Sequence, residues 1–240
     1  MEAHGLTSEQ QQQGALAEAR SEARGLAFAR RLFDILFAGT LVLLLSPLLV
    51  AVAVATRLDS RGPALFRQRR VGYQEREFTL FKFRSMRLDA DPRGHQEYVT
   101  ALIKGTDASS NGNGVDGEEE GETLYKLAVD NRITPVGRWI RKWSIDELPQ
   151  LFNVLFGEMT LVGPRPAIPY EVAEYPTWYL QRFSVKPGLT GYWQVSGRNE
   201  RTYEEMVRLD IEYAERRSLP LDLSILIKTP WIVLTRKGAE

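Results

Sequence analysis

The chain has 240 residues, enough for one domain of ordinary size with a substantial core. Its 31 basic and 31 acidic residues cancel, which argues against nucleic acid or another polyanion as a partner. There is no cysteine and there are only two histidines, so disulfides, thiol nucleophiles and cysteine–metal centres are excluded and a zinc site is not expected.

The first 27 residues form a polar N-terminal tail. This tail lacks the short basic start and apolar core of a signal peptide, so we expect the apolar segment that follows to be retained. That segment covers residues 28–57, and its run at 35–55 is almost wholly apolar. A helix over this run would be about 31 Å long, close to the hydrocarbon thickness of a bilayer.

Two features of the apolar segment favour a hairpin that enters and leaves the same membrane face. The first is Ser46-Pro47, which lies near the middle of the segment. Proline removes a backbone hydrogen bond and so kinks or breaks a helix. The Ser46 hydroxyl can satisfy the carbonyl that this frees. Both flanks carry arginines, and positive charge stays in the cytoplasm. We predict a re-entrant helix–break–helix. A kinked transmembrane anchor and a buried helical hairpin in a soluble protein are the alternatives.

A small β-hairpin is predicted over residues 63–85, with its turn at 72–74. The stretch Lys82-Phe83-Arg84-Ser85-Met86 then interleaves cations with apolar residues. Such a pattern is typical either of a phosphate-binding strand or of an ordinary strand with one solvated face.

Residues 105–122 are rich in glycine and acidic side chains and predict a mobile acidic loop. A calcium loop is disfavoured there because the ligand spacing does not fit.

Four helical or apolar segments are predicted in the second half of the chain. Residues 133–143 form a basic amphipathic helix, which suits either a membrane interface or a core-facing position. Residues 148–156 continue as a helix that ends at Gly157, and 203–217 form a charged helix. Residues 219–234 are apolar but interrupted by two prolines, which predicts a broken tail that lies on the surface or packs on the core.

Two adjacent carboxylates, Asp146 and Glu147, are the leading candidates for chemistry. The plain alternative is helix capping, with either Ser144 or Asp146 as the N-cap. In both versions the carboxylates lie in a first helical turn, where the dipole stabilises their charge. An ionised aspartate can attack phosphorus, and a neighbouring glutamate can hold Mg²⁺. A glycosidase is disfavoured because adjacent residues do not readily flank a sugar at the required separation.

Cations elsewhere in the chain are candidates for binding phosphate. Arg165 lies between two prolines. The prolines restrict the backbone, which lowers the entropic cost of presenting the guanidinium to a phosphate. The alternative is a rigid turn with a solvated arginine. Residues 186–198 combine glycines and aromatic residues with Lys186 and Arg198. That cluster could cradle a diphosphate and stack a nucleobase, or it could be a simple connecting loop.

These segments together resemble the bacterial sugar transferase family, the monotopic polyprenyl-phosphate phosphoglycosyl transferases, in their minimal catalytic form. The resemblance covers roughly residues 28–236, and it rests on the following stretches: Ser46-Pro47, 82–86, 138–149, 161–166 and 186–198. It implies transfer of a sugar-1-phosphate from a UDP-sugar to a membrane polyprenyl phosphate. The products are UMP and a polyprenyl-diphosphate sugar, which starts exopolysaccharide, capsule or O-antigen assembly.

The resemblance also implies roles for particular residues. Asp146 would be the nucleophile that forms a covalent phosphosugar intermediate, and Glu147 would coordinate Mg²⁺. The cations expected to bind phosphate or shape the site are Lys82, Arg84, Arg141, Arg165, Lys186 and Arg198. The acidic loop at 105–122 is longer than the usual connection in the family.

The sequence therefore predicts an α+β fold that is mainly helical, with a re-entrant membrane helix at 28–57 and a cytosolic catalytic domain at 58–236. The expected location is the cytoplasmic face of the bacterial inner membrane. Expected partners are the UDP-sugar, polyprenyl phosphate, membrane lipid and downstream glycosyltransferases, and a homodimer is compatible with the sequence. The alternative is a non-catalytic membrane-anchored module that binds anionic lipid or partner glycosyltransferases through its basic helix.

Overall fold

A computed structural model describes residues 8–87, 93–104, 132–197 and 201–235. The helices of this part of the chain are α1 (Ser8–Asp59), α2 (Arg93–Lys104), α3 (Pro135–Lys142), α4 (Gln150–Phe156), α5 (Pro169–Val172), α6 (Tyr203–Arg216) and α7 (Leu219–Thr235). The strands are β1 (Leu65–Val71), β2 (Glu77–Phe83), β3 (Thr160–Val162) and β4 (Gly188–Thr190). The predicted mainly helical α+β class is confirmed. The predicted acidic loop at 105–122 and Arg198 lie outside the described residues, and the predicted domain boundaries stay predictions.

Helix α1 runs through Pro47 without interruption. The predicted break is therefore wrong as secondary structure. Proline cannot donate to the carbonyl of Leu43, four residues earlier, but the Ser46 hydroxyl donates to that carbonyl at 2.8 Å. The Ser46 hydroxyl thus replaces the missing backbone donor, as the sequence led us to expect, and the helix stays intact. Within the described residues, Gly25–Asp59 is the one helix long and apolar enough to cross a membrane.

The predicted β-hairpin is confirmed. Strands β1 and β2 pair antiparallel from Leu65 opposite Phe83 to Val71 opposite Glu77. The connection contains the predicted turn, in which Gln74 and Glu75 adopt positive φ angles. The hairpin lies against α4 through Asn153, a fully buried side chain that accepts from the Phe81 N–H and donates to the Thr79 carbonyl.

A second, parallel pair of strands joins β3 to β4 and was not predicted. The two strands approach so closely that a Cβ on Gly188 would lie 2.0 Å from the Gly163 nitrogen. A Cβ on Gly191 would likewise lie 2.5 Å from the Gly163 carbonyl oxygen. Gly188 and Gly191 of the 186–198 cluster therefore allow two backbone segments to touch, so close packing accounts for their presence.

The main core lies where α1, β2, α4, β3, α6 and α7 meet. Its fully buried members are Ala38, Leu80, Leu151, Val154, Met159, Leu161, Val162, Tyr213 and Ile225. A smaller cluster joins Val52 of α1 to Phe83 and to Ile140 of α3. Because α1 contributes to both clusters, its apolar segment packs along the domain.

Polar contacts hold both ends of this segment of α1 to the same domain. Near its start, Arg31 donates to the carbonyls of Val154 and Leu155 at 2.5 and 2.7 Å, at the end of α4. Near its end, the Asp59 carboxylate accepts from the Val136 N–H of α3 at 3.1 Å. The other side of the helix exposes large apolar residues, including Leu36, Leu43, Leu44 and Leu58.

The C-terminal apolar segment forms one continuous helix, α7, so the predicted interruption is wrong. Pro220 lies in its first turn, where a backbone N–H has no helical partner in any case. Pro230 is accommodated inside the helix, as Pro47 is in α1. The other predicted helices appear as α3, α4 and α6, and Gly157 ends α4 with a φ of 83°.

Candidate active site

Asp146 and Glu147 lie in a single 3₁₀ turn, Ile145–Glu147, between α3 and α4. Ser144 has a φ of 53° and its side chain caps nothing, so the capping-box interpretation is wrong. Asp146 is not the N-cap of α4 either, because Pro149 occupies that position. The chain reverses sharply at Ser144 instead, and this left-handed residue is costly for a non-glycine side chain. The turn presents both carboxylates beside the hairpin.

Lys82 reaches the carboxylate pair from strand β2. Its ammonium group donates to Glu147 Oε1 at 2.8 Å, and the two side chains are 24% and 36% exposed. Burial by itself raises the pKa of Glu147, but the charge and hydrogen bond of Lys82 outweigh burial, with help from Arg165 and Arg70. The net effect lowers the pKa of Glu147. Glu147 is therefore the first of the pair to ionise.

Asp146 has the opposite electrostatic setting. Burial raises the pKa of its carboxyl to about 6, and the neighbouring Glu147 adds to the rise, while Lys82 and Arg141 oppose it. Two adjacent carboxylates thus have pKa values driven apart, a pattern common at functional sites. Asp146 is the more basic of the two, and a more basic carboxylate is the better nucleophile.

Two arginines, Arg165 and Arg70, also add positive charge near Glu147. Burial tends to lower the pKa of Arg165, but the carboxylates of Glu171 and Glu147 outweigh it and raise the pKa. Arg70, on β1, is 5% exposed, and burial followed by the charge of Arg165 lowers its pKa to about 10. Two guanidinium groups and one ammonium group therefore place positive charge near Glu147, which suits the binding of phosphate.

The sequence interpretation missed Arg70. Its Nη1 donates to the Pro166 carbonyl at 2.8 Å, and its Nη2 donates to Gln68 Oε1 at 2.7 Å. The Val71 N–H also donates to the Ala167 carbonyl, so the end of β1 lies beside the proline-flanked loop. The available signal was the run of arginines at 67–70, although alternation along a strand does not show which of them faces the loop.

A buried ion pair holds the backbone of Arg165. The Arg182 Nη2 atom donates to the Arg165 carbonyl at 3.0 Å and also to the Asp210 carboxylate on α6. The side chains of Arg182 and Asp210 are both 1% exposed. The two prolines restrict the backbone near Arg165, and this pair, which the sequence interpretation also missed, determines where the residue sits.

Comparison with known proteins identifies the family of this chain. The family model described as bacterial sugar transferase matches residues 26–236. The chain belongs to the bacterial sugar transferase family. The resemblance inferred from the sequence is therefore confirmed.

The names of several curated relatives refer to sugar transfer onto undecaprenyl phosphate or to exopolysaccharide production. An undecaprenyl-phosphate galactose phosphotransferase of Salmonella typhimurium is 41% identical over 216 residues, which is 90% of this chain and 42% of the relative. A UDP-glucose:undecaprenyl-phosphate glucose-1-phosphate transferase of Xanthomonas campestris pv. campestris is 39% identical over 88% of this chain and 40% of the relative. The exopolysaccharide production protein ExoY of Rhizobium meliloti is 37% identical, with 87% of each chain covered. The chain thus spans less than half the length of the first two relatives.

Among the other expected phosphate-binding residues, Arg84 has a different position from that predicted. It is 3% exposed, and its guanidinium donates to the carbonyls of Thr56, Ser60 and Arg61 at the end of α1. These carbonyls have no helical partner, so Arg84 caps the helix and joins it to β2. The geometry favours this structural role over phosphate binding.

Lys186 lies at the opposite end of α4 from the carboxylate pair. Its ammonium group donates to the Gly157 carbonyl at 2.7 Å, whereas Asp146 and Glu147 precede the start of the helix. Seven helical residues span about 10 Å, so Lys186 is not brought together with the pair. Arg141 is brought close enough to Asp146 to affect its pKa. Arg198 lies outside the described residues.

The carboxylate pair offers oxygen ligands of the kind that a magnesium ion binds. Within the described ranges, no group of three or more His, Cys, Asp or Glu side chains is placed to hold a metal ion. Mg²⁺, however, commonly binds to proteins through only one or two carboxylates and takes substrate phosphates and water as its other ligands. Asp146 and Glu147 fit a magnesium ion held in that shared manner.

Proposed function

We propose that this protein transfers a sugar-1-phosphate from a UDP-sugar to a membrane polyprenyl phosphate, giving a polyprenyl-diphosphate sugar and UMP. The observation that carries the proposal is the Asp146–Glu147 turn, with Lys82 bound to Glu147 and the charges of Arg141, Arg165 and Arg70 acting on the pair. The names of the relatives support the same reaction class.

The proposed reaction has two displacements at one phosphorus atom. A carboxylate oxygen of Asp146 attacks the phosphorus that carries the sugar, and the bond from that phosphorus to the oxygen bridging the two phosphates breaks. UMP leaves with that oxygen. An oxygen of the polyprenyl phosphate then attacks the aspartyl-bound phosphorus and releases the Asp146 carboxylate. The bond between the sugar and its phosphate oxygen stays intact throughout.

Passing the group through Asp146 separates two steps that each bring negative charges together. Arg165 is placed to bind phosphate oxygens bidentately, and Arg141 is placed to offset charge near Asp146. Arg70, whose guanidinium already donates to Pro166 and Gln68, adds buried positive charge beside the Arg165 loop. Lys82 keeps Glu147 ionised and oriented. Glu147, with substrate phosphates, would hold Mg²⁺, which would neutralise charge that develops on the phosphate oxygens.

We also propose that the protein lies on the cytoplasmic face of the membrane without crossing it. Contacts at Arg31 and at Asp59 hold both ends of the apolar segment to one domain, and a spanning helix would put those ends on opposite sides. The exposed apolar side of α1 would then face lipid. This arrangement brings the carboxylate pair to the surface where the lipid acceptor lies, and the product would pass to downstream glycosyltransferases that extend the glycan.

Release of UMP tests the reaction. Purified protein in lipid nanodiscs is mixed with Mg²⁺ and each of a panel of UDP-sugars, before and after polyprenyl phosphate is added. A burst of UMP equal to the enzyme, followed by turnover once lipid is present, is expected. Asp146→Asn should abolish both phases. Normal turnover by that variant would overturn the covalent route, and no UMP from any donor would favour the alternative of a lipid- or partner-binding module.

Labelling of single cysteines tests the topology, because the chain has no cysteine of its own. Cysteines replace Ala29 and Arg61, which are exposed near the two ends of the apolar segment. In intact cells, a reagent that cannot cross the inner membrane should label neither position, and a permeant reagent should label both. Labelling of one position alone by the first reagent would show a spanning helix.

A further inference from the structure

A cavity lies between α1 and α7, on the side of the domain where Lys186 meets the end of α4. Its volume is about 190 Å³, and β3 forms its floor. A single buried water needs roughly 10–15 Å³, so the cavity has room for a larger group. Its walls are lined in part by Arg30, Phe33, Arg217, Asp222, Leu219 and Leu223.

The polar part of this cavity has donors without acceptors. The Nη2 atom of Arg30 and the Nε atom of Arg217 are buried, and neither has a hydrogen-bond partner within the described part of the chain. Arg30 also lies 3.3 Å from the Asp222 carboxylate, which in turn accepts from the Tyr213 hydroxyl. Buried guanidinium nitrogens are normally paired, so an acceptor that the chain does not supply is expected here.

The surroundings of the cavity carry an excess of positive charge. In the lining, Arg30 and Arg217 balance Asp34 and Asp222. The nearby Arg31 and Lys186 supply the excess of positive charge. Arg31 and Lys186 already donate to carbonyls at the end of α4 and at Gly157. The missing acceptor is therefore an anion, and one that fits two guanidinium groups.

The mouth of the cavity is apolar. Helix α7 exposes a stripe of large residues at helical spacing, namely Leu219, Leu223, Ile227, Trp231 and Leu234. The first two of these line the cavity, and Phe33 of α1 lines the facing wall, 42% exposed. A free anion would gain nothing from such a wall, whereas a lipid places its phosphate beside its own hydrocarbon chains.

We propose that this cavity binds the phosphodiester group of an anionic phospholipid, with the acyl chains lying along the part of the α7 stripe next to the cavity, from Leu219 to Ile227. Arg30 and Arg217 donate to the phosphate oxygens. The site is separate from the carboxylate pair, since the two lie at opposite ends of α4. The bound lipid is a structural ligand, and its binding does not depend on transfer of a sugar.

Native mass spectrometry of the full chain in detergent tests the proposal. The protein is titrated with phosphatidylglycerol or with phosphatidylcholine, and retained lipids are counted. One phosphatidylglycerol per chain is expected, at least tenfold tighter than phosphatidylcholine. Equal retention of the two lipids would overturn the proposal. Displacement of the lipid by millimolar inorganic phosphate would identify the ligand as a free anion and would overturn it as well.

Variants locate the site. Arg217→Gln should weaken phosphatidylglycerol binding at least tenfold, while Arg216→Gln, which alters the neighbouring exposed arginine paired with Glu212, should not. Leu223→Glu places a negative charge at the exposed mouth and should also weaken binding. Leu234→Glu, on the same stripe but away from the cavity, is its control. The two Leu variants alter exposed side chains, so folding is preserved. Unchanged binding in Leu223→Glu would overturn the proposal.

Discussion

The ammonium group of Lys82 lies 2.8 Å from Glu147 Oε1, across 65 residues of sequence. This contact joins the β-hairpin to the turn that carries the carboxylates. It lowers the pKa of Glu147 while Asp146, next to it, has its pKa raised. The charge of Lys82 lowers the pKa of both carboxyls, but its hydrogen bond goes to Glu147, and burial leaves Asp146 as the more basic of the two.

Replacing Lys82 with Met should reduce the rate of UMP release by roughly 10²–10³-fold, the usual cost of removing one charge-stabilising group from a reacting site. Substrate binding should change less than the rate, because the arginines remain. The measurement is kcat and KM for UMP release at saturating Mg²⁺. Lys142→Met, which alters an exposed cation at the end of α3, is the control. A Lys82→Met rate within threefold of the wild type would contradict this role.

Breaking the buried pair of Arg182 and Asp210 should destabilise the protein by roughly 3–5 kcal/mol, because the remaining charge is left unpaired. Arg182→Leu and Asp210→Leu should each show this loss in urea unfolding, and the double variant should lose less than the sum. Arg208→Gln, which removes an exposed pair with Glu204 on the same helix, should cost less than about 1 kcal/mol. Additive losses would indicate that the pair is not coupled.

Asn153→Ala should loosen the hairpin that carries Lys82. The change leaves the Phe81 N–H and the Thr79 carbonyl without their partner, at a cost of about 1–3 kcal/mol for each group. Hydrogen exchange at Phe81 should accelerate, and UMP release should fall along with stability. Glu158→Gln is the control, since it keeps an acceptor for Asn153 and should change little. Unchanged exchange at Phe81 would show that other contacts hold the strand.

Gly137→Ala should displace α3 from the end of β2. A Cβ at this position would lie 2.0 Å from the Ser85 carbonyl oxygen, so the helix that carries Arg141 must move. We expect a loss of both stability and activity. Gly39→Ala is the matched control, because its Cβ would meet only Leu155 at 4.0 Å, and alanine favours a helix over glycine by up to about 1 kcal/mol. The measurement is the thermal unfolding midpoint of each variant, which should fall for Gly137→Ala and not for Gly39→Ala. Equal midpoints in the two variants would contradict the steric argument.

Local chemistry explains which elements could be predicted. Alternation and a turn signal sufficed for the hairpin, Gly157 marked the end of α4, and Ser46 beside Pro47 indicated a hydroxyl bonded to a freed carbonyl. These features depend on residues within a few positions of one another. The local expectation failed at Ser144, which adopts a left-handed conformation without capping a helix, and at the prolines of α1 and α7, which are accommodated inside continuous helices.

The residue types of the candidate site were predicted from the sequence, but their spatial arrangement was predicted only in part. Arg84 and Lys186 have the right side chains for phosphate, but the fold turns both toward carbonyls at helix ends. Arg70 joins the site because β1 ends beside the loop of Arg165. A guanidinium bonds to whichever acceptor it meets, and a pattern of residue types does not specify which acceptor that is.

The amino-acid sequence alone determined the family, the apolar segment, the hairpin and the pair of adjacent carboxylates, since each depends on short-range chemistry or on shared motifs. Only the tertiary structure decided that Lys82 lies against Glu147, that Arg182 and Asp210 hold Arg165, and that both ends of the apolar segment of α1 meet one domain. Those contacts join residues 17 or more positions apart, and their strength depends on burial, which exists only once the chain has folded.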